Sequence, residues 1–265
     1  MSQEFDFVNE AIQIVEKAQQ NGLTLRVLGA TAFRIHCPDH VHVHVSMGRD
    51  ITDIDFAAYS KEGERIEKFL AKDQFQSERQ QASLTPGLFA GRHIYENPQT
   101  GLHVDIFEDE LNMCHIVNFR NRLHLDSPTI TLADLSLEKF QIVTLNEKDI
   151  RDMLMLFASH PVGDIEHETI NGKYIASILS KDWGFYYTTM MNLGKIRKGL
   201  DRYKDLFTIK DNENIVERIT HLEQMIESAP KSLVWKARAA VGTRVQWYND
   251  VEEVERAEHL KNLDE

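Results

Sequence analysis

The sequence predicts an α+β protein, with a mixed β-sheet flanked by helices in its first half and helices almost throughout its second. Two observations carry this. Runs of period-two alternation, "LTLRVLG", "HVHVHVS", "DIDFAAY", "RHIYE" and "LHVDIF", all fall early in the chain. After roughly Leu132 the apolar spacing lengthens to that of helices and stays there. The 265 residues suit one large domain or two small ones, and the change of texture sets the expected division at 1–132 and 133–265.

Taken in order, "DFVNEAIQIVEKAQQNG" places Phe7, Ala11, Ile14, Val15 and Ala18 on one helical face, with Asp6 as N-cap and Gly22 as stop. "LTLRVLG" reads as a strand closed by Gly29, and "ATAFRIH" as a short helix ended by Pro38. "HVHVHVS" alternates and reads as an edge strand with His40, His42 and His44 outward. Three imidazoles stepped about 7 Å apart do not converge easily on one tetrahedral ion, which counts against a single zinc site. "DIDFAAY" is a strand with Asp53 and Asp55 on one face, and "KEGERIEKFLAKDQF" an amphipathic helix. "RHIYE" and "LHVDIF" flank the turn "NPQTG", and in the second arm His103, Asp105 and Phe107 share a face. The second half reads as helices over "LADLSLEKFQIVTLNEKDIRDMLMLFASH", "GKYIASILS", "WGFYYTTMMNLGKIRKGLDRYKDLF", "NENIVERITHLEQMIES" and "KSLVWKARAAVGTRVQWYNDVEEVERAEHL".

Composition narrows the function classes. The two cysteines, Cys37 and Cys114, have no CxxC partner, which argues against a zinc ribbon or disulfide scaffold and fits a reducing cytoplasm. The acidic N-terminal stretch lacks the basic and apolar regions of a signal peptide, and no apolar run has the length of a membrane span. A net charge of −12 argues against binding duplex DNA over a broad surface. Nothing matches a Walker loop, H-E-x-x-H or G-x-S-x-G.

The constellation with most chemical content is Asp53, Asp55 and Asp105. Two Asp at alternate strand positions point the same way, and a third from a neighbouring strand can face the gap between them. Such a cluster repels itself without cations, and magnesium, with manganese as a second choice, takes oxygen ligands of this kind. Two such ions about 3.5–4 Å apart can clamp an in-line displacement at phosphorus. The turn Gly29-Ala30-Thr31 precedes a helix, and a helix N-terminus with small residues presents free amides to a phosphate.

This order of parts resembles the nucleotidyltransferase-fold, polymerase-beta-like superfamily: a glycine-small pair, then an acidic-x-acidic strand, then a strand with one acidic residue. Here these are Gly29-Ala30, "DIDF" and "VDIF". Lys139 and Lys148-Asp149-x-x-Asp152 are similar to an element of the AbiEii-type abortive-infection toxin branch, and the resemblance covers about residues 20–157. The sequence departs from the family pattern in having Ala30 where Gly or Ser is usual, and in a longer loop between Gly29 and Asp53.

The resemblance implies a nucleotidyltransferase-like sheet and transfer of a nucleoside monophosphate from an NTP to a hydroxyl acceptor. Asp53, Asp55 and Asp105 would hold two Mg2+ (or Mn2+), and Asp105 would share the catalytic ion. Gly29, Ala30 and Thr31 would bind phosphates, Lys139 would reach the triphosphate, and Lys148, Asp149 and Asp152 would support the nucleotide. The acceptor is tRNA in the toxin branch, with an antitoxin protein as a possible partner, and a small hydroxyl compound in the antibiotic-modifying branch. A catalytically silent nucleotide-binding protein is the third class. Two basic stretches offer surfaces for a polyanion: Lys195, Arg197, Lys198, Arg202 and Lys204, and Lys236, Arg238 and Arg244 beside Trp235 and Trp247.

Overall fold

Asp53–Ala58 forms the strand about which the first half is arranged. In the computed structural model, which describes residues 6–46, 51–77 and 91–251, this strand (β2) lies second in a five-stranded sheet. The other strands are β1 (Leu25–Leu28), β3 (Gln76–Ser77), β4 (Arg92–Asn97) and β5 (Leu102–Glu108). The order is β1-β2-β5-β4-β3. β2 runs antiparallel to β1 and parallel to β5, and β4 is antiparallel to both β5 and β3, so the sheet is mixed. A ribbon of β6 (Glu110–Asn112) and β7 (Ile116–Asn118) follows.

The helices of the first half are α1 (Phe7–Gln20), α2 (Gly29–His36), α3 (Val41–Val45) and α4 (Gly63–Lys72). Those of the second are α5 (Leu132–Phe140), α6 (Glu147–Ser159), α7 (Gly172–Leu179), α8 (Trp183–Tyr203), α9 (Ile209–Ser228) and α10 (Leu233–Val241). The α+β reading, a mixed sheet followed by a helical part, is what the chain adopts. The buried apolar side chains of both parts, from Ala11 to Ile226, form one cluster.

Local signals explain most elements. The Asp6 side chain accepts from Asn9 N–H at 3.1 Å, and Gly22 lies just past the end of α1 at a φ of +65°. The "NPQTG" turn joins β4 to β5 with Asn97 opposite Leu102; Asn97 Oδ1 accepts from Gln99 and Thr100, and Gly101 has a φ of +69°. Alternation along β2 and β5 puts Ile54, Phe56, Val104 and Ile106 into the core.

Three expectations are corrected. "HVHVHVS" is not a strand: Pro38–His40 is a 3-10 turn and Val41–Val45 the helix α3. The reason is tertiary. His40 Nδ1 lies 3.0 Å from Ser159 Oγ, His42 Nε2 2.8 Å from the Leu206 carbonyl, and His44 Nε2 2.7 Å from Asp152 Oδ1. These partners lie on the helical half, and they outweigh the preference of Val for strands. Second, the long helical period after Leu132 is two helices, because Asn146 and Asp149 form a reciprocal cap that starts α6 afresh. Third, the last helix stops at Val241 before Gly242, whose φ is +62°; the remainder of that predicted run, from 252, lies outside the described residues.

α5 is buried along its whole length, although it carries Asp134, Ser136, Glu138 and Lys139. Each polar side chain is met. Arg122 Nε reaches Asp134 at 2.7 Å, Ser136 Oγ donates to the Leu132 carbonyl, and Glu138 and Lys139 serve the site described below. The segment leading into α5 lies along the outer edge of β1. Val27 N–H donates to the Pro128 carbonyl and Ile130 N–H to the Val27 carbonyl, both at 3.0 Å. Thr131 then caps α5 by accepting from Asp134 N–H. This edge pairing aims α5 at the end of β1, where Gly29 begins α2.

Burial also leaves two histidines reluctant to protonate. Desolvation pushes His36 and His115 down to about 4 from an ordinary value of 6.5. The unfolded chain therefore takes up these protons near pH 6.5 and the folded chain only near 4. Their stabilising effect is complete above 6.5 and is lost as pH falls from there toward 4. His115 stacks on Phe185 with ring centroids 4.9 Å apart. His115→Gln is expected to reduce the stability difference between pH 7 and pH 4 by about 1–3 kcal/mol, read from urea unfolding at each pH. An unchanged difference would show that His115 does not carry this acid sensitivity.

Candidate active site

The parallel pairing of β2 with β5 sets Asp53 opposite His103 and Asp55 opposite Asp105. Directly paired residues share a sheet face, so the three aspartates stand together on the side away from Ile54, Phe56 and Val104. One carboxylate oxygen from each lies within 4.8 Å of the others. Asp53 and Asp55 are half-buried and Asp105 is 1 % exposed.

Electrostatics there are unbalanced. Burial, then the Asp53, Asp105 and Glu138 charges, push the Asp55 carboxyl well above the ordinary carboxylate range, with Arg92 opposing. Arg92 reaches across from β4 and pairs its Nη2 with Asp105 Oδ2. A donor set of three close carboxylates with excess negative charge suits a hard divalent cation.

Gly29 meets two separate requirements. Its φ of +67° is a conformation that side chains resist, and a Cβ there would lie 2.5 Å from Asp55 Oδ2. The backbone at the start of α2 therefore comes directly against the triad. The residue before α2, Leu28, contributes no side-chain cap. The Gly29 N–H itself donates to Glu138 Oε2 at 3.0 Å. Ala30 is half-buried, while Thr31 is buried at 1 % exposure.

Behind this turn lies a second, more fully buried cluster. Lys139 Nζ is 3.0 Å from Asp149 Oδ1, 3.1 Å from Asp152 Oδ2 and 3.7 Å from Glu138 Oε1. All four residues are buried. Asp149 also caps α6, and Asp152 also meets His44, which lies 3.4 Å from Arg34 Nε through Nδ1. The structure thus brings Lys139, Asp149 and Asp152 together in a buried cluster, while Lys148 is exposed on the first turn of α6.

Sequence reasoning missed Glu138, Arg92 and His44 as members of this region. For Arg92 a signal existed. Counting back from the "NPQTG" turn pairs Ile94 with Asp105 and Arg92 with Phe107, which puts Arg92 on the triad face. Glu138 and His44 gave none, since each acts across 108 residues or more of intervening chain. In the two basic stretches Lys195, Arg197, Arg202 and Arg238 make internal contacts, while Lys198, Lys204, Lys236 and Arg244 are exposed. Lys195 Nζ donates to the Val143 carbonyl, Arg197 pairs with Glu223 and Arg202 with Glu147. Arg238 holds the carbonyls of Gly242, Val245 and Gln246, and Trp235 and Trp247 donate to Leu179 O and Thr188 Oγ1.

No family model and no curated protein matches the chain. Among solved structures, a STING-associated CdnE c-di-GMP synthase from Capnocytophaga granulosa aligns over 84% of this chain and 85% of its own. The identity is 12% and the TM-score 0.22, a superposition too loose to bear on function. No helix among the described residues is long and apolar enough to cross a membrane.

The Lys139 cluster has a measurable consequence. Lys139→Met removes the cation from among three buried carboxylates and is expected to destabilise the fold by about 3–5 kcal/mol, read from urea unfolding at pH 7. A loss below about 1 kcal/mol would mean that the ammonium is not what balances them.

Proposed function

We propose that the chain is a nucleotidyltransferase, moving a nucleoside monophosphate from an NTP to a hydroxyl-bearing acceptor with release of pyrophosphate. One observation carries the reading: Asp53, Asp55 and Asp105 meet on one sheet face against the Gly29 backbone at the start of α2.

Asp53, Asp55 and Asp105 are the residues that would hold Mg2+ or Mn2+. When bound, such ions offset triphosphate charge and favour ionisation of the attacking hydroxyl. The chain's own part is mostly positioning. The acceptor oxygen bonds to the α-phosphorus, the bond from that phosphorus to the pyrophosphate oxygen breaks, and the hydroxyl proton passes to Asp105. The N-terminal turn of α2 faces the phosphates with its dipole. Glu138 anchors that turn through the Gly29 N–H, and Lys139 holds Glu138. In this reading Lys139 supports the phosphate turn from behind. The resemblance of Lys139 and Lys148-Asp149-x-x-Asp152 to the toxin branch favours tRNA as acceptor over a small hydroxyl compound.

Each radiolabelled NTP, incubated with Mg2+ and total tRNA, tests this directly. Label is expected in tRNA. Asp53→Asn and Asp55→Asn are expected to lower transfer by at least about a thousandfold while leaving circular dichroism and thermal unfolding near those of the parent. Near-normal transfer by either variant would refute the triad mechanism. Label in a small product instead would reassign the acceptor.

A further inference from the structure

Among the described residues, Arg92 is a cation that already meets the triad. It lies on β4, two residues from Ile94, the register partner of Asp105, so Arg92 and Asp105 share a sheet face. Its guanidinium pairs with Asp105 Oδ2 and sits over the Phe107 ring, 5.4 Å from the centroid. Its side chain is 21% exposed, against 1% for Asp105. The pair is thus formed at the inner end of the site, while the guanidinium retains access to the solvent side.

Asp105 is also one of the three carboxylates whose oxygens come within 4.8 Å of one another. A guanidinium and a divalent cation therefore seek the same carboxylate, and like charges at such range repel. We propose that Arg92 is a built-in competitor of the divalent cation: it occupies Asp105 before a metal binds and is displaced from it when one does. The inference rests on the triad being a cation site. Arg92 acts here as a positioning residue, keeping Asp105 oriented in the metal-free protein and setting the cation concentration at which the site fills. Nη2 makes this contact from a rigid planar guanidinium, whereas a lysine would offer a flexible ammonium.

Mn2+ binding, followed by electron paramagnetic resonance without nucleotide, tests this apart from catalysis. The parent is expected to bind Mn2+, and Asp53→Asn to lose that binding. Arg92→Gln is expected to tighten it about tenfold. Arg92→Lys is expected to give a smaller gain in the same direction, and it keeps a cation in place should the glutamine variant fail to fold. In an Asp105→Asn background the Arg92→Gln gain should vanish, because the contested carboxylate is gone. Unchanged or weaker Mn2+ binding by a folded Arg92 variant would overturn the proposal while leaving the triad reading intact. So would a gain that persists undiminished in the Asp105→Asn background, since that would be a field effect. Absence of Mn2+ binding by the parent would overturn both.

Discussion

One ammonium group holds the two parts of the chain in register. Lys139 reaches into a space where Glu138, Asp149 and Asp152 converge, all shielded from water. Buried carboxylates without a counter-charge are costly, and here each also has a second duty. Glu138 takes the Gly29 amide at the head of α2. Asp149 closes the first turn of α6. Asp152 takes His44 of α3. Placing one lysine therefore fixes α2, α3, α5 and α6 with respect to one another. The expected division at 132/133 falls at the first residue of α5, a helix buried along its length within a core shared by both parts.

Two polar clusters thus sit on either side of the Gly29 turn, and they differ in exposure. The one behind it matches its acids with Lys139, His44 and two backbone caps. The one in front gathers three aspartates, with Arg92 on Asp105 among the described residues. The first is suited to permanence. The second sets three acids close together in a place that reaches the surface, which is the condition under which a protein attracts a cation from solution.

Much of the triad was legible in sequence because strand alternation is strict. Asp53 and Asp55 had to share a face, and Asp105 among Val104, Ile106 and Phe107 had to find a partner. The parallel pairing that brings them together was not legible, since register between strands separated by some fifty residues is set by the whole sheet. The histidines show the opposite failure. "HVHVHV" carries a clear local period, yet the chain there is helical, because His40, His42 and His44 each find a partner on the helical half. Local pattern decides structure when burial follows the pattern. In α3 only Val43 and His44 are buried, so the alternation had little to act on.

The strand-like pairing of Val27 with Pro128 and Ile130 has a bearing on assembly. An open sheet normally ends in a row of unsatisfied amides and carbonyls on which a foreign chain can template itself. Here Val27, at the middle of the outermost strand, has both its groups taken by the protein's own backbone. At the opposite margin, the described part of β3 is Gln76–Ser77. A protein that recognises its target by lengthening a sheet finds no long, open rail along β1.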